Sequence, residues 1–252
     1  MEKDFNTHMK ALFSLTNEII QILRKIETQA TLDKKRNTEN GYWEFAYLEY
    51  YLKEIVSLLE LSINLQAHDS FRKYVHFPAR LIMEIVLQME HVYCVKNKKG
   101  QKGVKRLLLK DMTKSGKASL ERPGDGGKDT IKKYMGLFDI AGKILRLDFI
   151  SSDVSEKSNR DIKTLCGKSC IIVKKCTGDD LYHFYGAFSE LSHANIADIG
   201  ANQHLSEDIR ELNIFEVSIE LAIRFSEMVV KESNYTQMDT DIQNLKRIAG
   251  VT

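Results

Sequence analysis

The chain has 252 residues, 43% of them hydrophobic and 29% charged, with a formal net charge of +2. This apolar content is ordinary for a globular protein and enough for a core, in one large helical domain or two small ones. Charge interrupts the apolar runs, so no membrane span is expected. The opening Met1-Glu-Lys-Asp-Phe-Asn6 lacks the pattern of a secretion leader, and four cysteines without a regular framework fit a reducing, cytoplasmic setting.

Only 2 prolines occur, and the 14 glycines fall mostly between helical stretches, which suits long helices. Residues 6–35 read as a first helix, with Met9, Leu12, Phe13, Ile19, Ile20, Leu23 and Ile26 at helical spacing. After the turn-forming 37–41, a second helix covers 42–66. Its first half is crowded with Tyr42, Trp43, Phe45, Tyr47, Tyr50 and Tyr51, a density that points to core or interface packing, with base stacking as the alternative use. The third helix either begins near Asp69-Ser70 and bends at Pro78 or starts afresh at Pro78. The continuous, kinked form is the preferred expectation. Lys98-Lys-Gly100 closes it, a basic helix spans 104–114, and 115–127 is the most loop-like stretch.

Within that loop, 124–130 resembles a phosphate loop only superficially. Arg122 stands where the early glycine belongs, and Asp129 where Ser or Thr must follow the lysine. Further helices are expected over 128–147 and 154–168. Cys166, Cys170, Cys176 and His183 match no common zinc spacing, so neither metal nor cofactor is expected. Thr177-Gly-Asp-Asp180 has the form of a capping box opening the next helix, and 198–203 is a loop. A last long helix starts near Asn213, with Glu216 as its capping partner. The tail after Ser233 is polar, with at most a short helix through Leu245. The expected architecture is all-α: one bundle of seven to eight helices over 1–235, with a basic helix and loop inserted at 96–127 and a polar tail at 236–252.

Residues 78–94 organise the rest. The stretch is apolar nearly all round, which marks a central helix. It nonetheless carries Arg80 and Glu84, four apart on one face, and His91 two turns on. Ionised groups are seldom buried without partners, so something polar should meet this face. Tyr185, Ser189 and His193 recur every fourth residue beside the apolar line Leu181, Phe184, Phe188 and Leu191. They form a polar line at the core edge and are the expected partners. A second feature is charge. Between Lys96 and Arg122, ten basic residues face only Asp111 and Glu121, so this stretch carries +8 and the remainder −6. Lys98, Lys99, Lys102, Lys105, Arg106 and Lys110 are thus candidates for binding a polyanion, with a solvated basic face as the plainer alternative.

An Arg-x3-Glu helix followed much later by Tyr-x3-Ser-x3-His is similar to a large family of bacterial and phage-associated helical proteins. That family is grouped loosely with the HEPN-like fold (higher eukaryotes and prokaryotes nucleotide-binding), and the likeness covers roughly 42–232. The resemblance implies an antiparallel helical bundle, frequently a homodimer, acting in prokaryotic phage defence. It also implies RNA or a nucleotide as ligand, metal-independent ribonuclease chemistry, and a protein partner from the same locus. The nuclease members carry Arg and His on one helix, four to six residues apart. Here three residues separate Arg72 from His76, and ten separate Arg80 from His91. Arg80, Glu84, Tyr185, Ser189 and His193 match the looser pattern. As a catalytic set they are sufficient: His193 titrates near neutrality, Arg80 holds a phosphate bidentately, Tyr185 and Ser189 position it, and Glu84 orients Arg80 or His193. The alternative is a non-enzymatic interaction protein, antitoxin-like or regulatory, in which the same residues form a structural polar clamp.

Overall fold

The computed structural model describes residues 2–36, 42–120 and 207–250. Among the described residues there are five α-helices and no strand. They are α1 (Glu2–Arg36), α2 (Tyr42–Gln66), α3 (His76–Leu120), α4 (Glu207–Ser233) and α5 (Asp239–Ala249), with short 3-10 turns at Asp69–Tyr74 and Thr236–Met238. The all-α expectation holds for these residues. The helices expected over 128–147, 154–168 and from Thr177 onward lie outside them. Two compact units make up the chain, Met1–Tyr93 with Ile162–Thr252, and Cys94–Asp161. The boundary falls inside α3.

In the first unit, α1 buries Met9, Leu12, Ile19, Leu23, Ile26 and Ala30 along one stripe. It packs against α2, α4 and α5. Ion pairs Arg24–Glu60 and Lys34–Glu49 run in opposite order along the two helices, so α1 and α2 are antiparallel. By contrast, α4 runs in the same direction as α1. The His8 ring meets Glu216 at 2.7 Å and Phe13 lies edge-on to Phe215 at 5.9 Å near the start of both, while Asp33 lies beside Tyr235 at their far ends. A buried Gln66 side chain donates to the Glu211 carbonyl at 3.0 Å, fixing the end of α2 on the start of α4.

Among the described residues, four serine and threonine hydroxyls are buried in these helices. Thr16, Ser62, Ser218 and Ser226 each donate to the carbonyl one turn earlier in their own helix, at 2.7–3.0 Å. Their polar atoms are therefore satisfied without any partner on a neighbouring helix.

Three boundaries differ from the sequence expectation. The third helix is not a kinked continuation from Asp69: a 3-10 turn ends at Tyr74 and α3 starts at His76. Its first i→i−4 bond runs from Ala79 to Val75, so Pro78 occupies the last position whose missing N–H costs nothing. The stretch 115–120, expected as loop, continues α3, and α4 begins at Glu207 rather than near Asn213, which is mid-helix. After Ser233 the tail turns through Asn234 at φ 57°. It then buries Met238, Ile242 and Leu245, and α5 closes on Gly250 in the left-handed conformation.

In the second unit, α3 is interrupted at Gly100, where φ is 61° and ψ −168°. The sequence expectation of a helix end there is met as a sharp break rather than a loop. That conformation is essentially restricted to glycine. Three residues on, a Cβ at Gly103 would lie 2.5 Å from the Lys99 Cβ and 3.0 Å from Val95 Cγ1. The two glycines act as a pair: Gly100 turns the chain and Gly103 leaves room for the turn. Val104 and Leu107 are buried just beyond.

Candidate functional site

The less buried face of α3 is a strip at helical spacing, with Phe77 and Leu81 exposed and Arg80, Glu84, Gln88 and His91 half-buried. Ala79, Ile82, Met83, Val86, Leu87, Met89, Val92 and Tyr93 are buried on the other side. The helix is therefore two-faced, contrary to the apolar-all-round expectation, and the residues that separate the faces are the charged ones. Arg80 Nε donates to Glu84 Oε1 at 3.1 Å, with the side chains 24% and 28% exposed. The guanidinium is thus half-buried, with its Nε fixed by a carboxylate one turn away on the same helix.

The expected partners Tyr185, Ser189 and His193 lie outside the described residues. So do Cys166, Cys170, Cys176 and His183. Among the described residues no group of three or more His, Cys, Asp or Glu is arranged to hold a metal, and no helix is long and apolar enough to cross a membrane. Of the basic candidates, Lys98, Lys99 and Lys102 are exposed on either side of the Gly100 break. Lys105, Arg106 and Lys110 belong to the helical segment that follows it, their side chains outside those described.

The sequence reading missed a more deeply placed charge pair. Glu90 lies on the packed side of α3, in line with Met83 and Leu87, and its Oε1 accepts from Arg224 Nε at 3.1 Å and Nη2 at 2.6 Å. Arg224 stands between the buried Ile223 and Phe225 on α4. Burial pushes the Glu90 carboxyl up, and the adjacent guanidinium pulls it back. Its second oxygen is buried without a hydrogen bond. The sequence offered a partial signal, an acid among the apolar residues of α3 that called for a partner, without naming Arg224 as that partner.

Where α1 and α4 end, buried phenols cluster with carboxylates. The Tyr93 hydroxyl meets Ser233 Oγ at 3.2 Å. Tyr235 is buried beside Asp33, with Glu44 acting on both phenols and Glu232 on Tyr93. Burial pushes both phenols up, opposed at Tyr93 by the Ser233 hydrogen bond and reinforced at Tyr235 by Asp33. Tyr93 and Ser233 share one hydrogen bond, in which either oxygen can donate.

No family model, curated protein or solved structure matches the chain.

Proposed function

We propose that this protein binds RNA or a nucleotide through Arg80, as a HEPN-like helical effector of prokaryotic phage defence, and that the complete site cleaves RNA without metal. The observation that carries this reading is the Arg80–Glu84 pair, on the less buried face of α3 and partly open to solvent. The other charged pair on this helix, Glu90–Arg224, differs in its carboxylate, which is 12% exposed against 28% for Glu84. Glu84 orients the guanidinium, Arg80 holds the phosphate, and His193, Tyr185 and Ser189 complete the set as base and positioning groups. The exposed Lys98, Lys99 and Lys102 would draw the polyanion in.

The test is retention and cleavage of single-stranded RNA by the purified full chain at low salt with EDTA present. Arg80→Ala and His193→Ala should each abolish the effect while leaving the far-UV circular dichroism unchanged. Failure of wild-type protein to retain RNA at low salt, where phosphate attraction is strongest, sinks the proposal. A second reading, a non-enzymatic interaction or regulatory protein, is favoured by the missing four-to-six-residue Arg/His spacing of the nucleases. It predicts stoichiometric capture of a protein partner that Arg80→Ala leaves intact.

A further inference from the structure

Beside the Arg80 strip the molecule carries an exposed run of large apolar groups. Phe71, Tyr74, Phe77 and Leu81 are each between 40% and 52% exposed. They are spaced three to four residues apart, from the 3-10 turn into the first two turns of α3. Such a patch is unusual on a soluble surface and marks a contact site. We infer that Phe71, Tyr74 and Phe77 form a base-stacking platform for single-stranded RNA, leading the strand to Arg80. This inference rests on the RNA-binding reading above and names the surface that reading lacked.

Three observations support it. First, the rings are ordered with respect to one another: Tyr74 and Phe77 lie with centroids 6.2 Å apart and planes within 23°, as stacked neighbours. Second, cationic and donor groups alternate with the rings. The Lys73 ammonium stands 5.2 Å over the Tyr74 ring, His68 lies edge-on to Phe71, and Arg80 follows Phe77 by one turn. Rings for bases alternating with cations for phosphates is the pattern of single-strand recognition, tolerant of sequence because every base has a π-face. Third, the platform is held in place before any ligand arrives. Arg72 donates to the Gln66 carbonyl at 3.0 Å and pairs with Asp69 at 2.6 Å, and the His76 ring meets the Lys73 carbonyl at 2.7 Å. Holding exposed rings rigid lowers the ordering cost of binding.

The experiment measures fluorescence anisotropy of a labelled oligo(U) 12-mer, and of an abasic strand with the same backbone, against the full chain. Phe77→Ala and Tyr74→Ala should each weaken oligo(U) binding by about tenfold or more, the cost of one lost base stack. The abasic strand should bind weakly to every form. Phe77→Leu keeps the apolar packing without the aromatic face, so its loss of binding at an unchanged melting temperature separates stacking from folding. RNA binding that these variants leave untouched overturns the platform and spares the RNA-binding reading. Absence of RNA binding by wild type overturns both. If the variants alter only the oligomeric state by light scattering, the surface is a protein interface and the inference is wrong.

Discussion

At the scale of single residues, Glu90 and Glu49 make opposite statements about pH. Glu49 accepts from Lys34 at 2.6 Å and Lys53 at 2.8 Å, and those two bonds hold its carboxyl below the usual value. A lowered folded pKa contributes stability above the unfolded pKa, and that contribution is lost as pH falls through the folded value. Glu49→Gln should therefore be less stable than wild type at pH 7, with the gap in urea midpoint closing below about pH 4. Burial raises the Glu90 carboxyl, so its ionised form is held at a cost that acidification relieves. Removing it alone still harms the fold, because Arg224 then loses the oxygen that accepts from both its Nε and its Nη2. Glu90→Ala should cost about 1–3 kcal/mol in urea titration at pH 7. Glu90→Leu combined with Arg224→Leu should recover most of that loss, since paired apolar replacement of a buried ion pair is often near neutral.

At the scale of elements, the break in α3 can be tested at one position. With φ at 61° and ψ at −168°, Gly100→Ala forces a side chain into a region that only glycine occupies readily, although nothing crowds the new methyl. The expected cost is about 1–3 kcal/mol, read as a lower melting temperature. An unchanged melting temperature would mean that the helix can straighten at no cost. Deletion after Tyr235 should be worse, because Met238, Ile242 and Leu245 are all buried. Each contributes about 1.5–3 kcal/mol, and the shortened chain should bind ANS and unfold without a sharp transition. Helices with long apolar periods were legible in the sequence: α2 begins and ends where its pattern does, and the Gly100 break fell where Lys98-Lys-Gly100 suggested. Less was legible where local signals compete. Asn213 and Glu216 look like a cap, yet Ile209 and Leu212 extend the apolar pattern upstream and α4 simply runs through them. Of the candidate site, the Arg80–Glu84 bond was legible because it depends on local i,i+4 spacing. The Glu90–Arg224 pair was not, because it depends on which helix lies opposite, 134 residues away.

At the scale of the whole molecule, charge distribution separates two ways of holding RNA. Binding led by the basic stretch of 96–122 would release many counterions, while the aromatic platform commits only Lys73 and Arg80. Log affinity against log salt should thus fall with a slope of about −1.4 if the platform dominates, at about −0.7 for each of two phosphates neutralised on a single strand. A slope several times steeper, measured from 25 to 300 mM KCl as an illustrative range of about tenfold, would assign the binding to the lysines instead. The buried hydroxyls of Thr16, Ser62, Ser218 and Ser226 have a different kind of consequence. Each oxygen is already spoken for before the helices meet, so it lends no address by which one helix could recognise another. Alanine at Ser62, Ser218 or Ser226 should be nearly silent, within about 1 kcal/mol. A lineage built this way is free to exchange those positions one by one, keeping its shape while its letters wander.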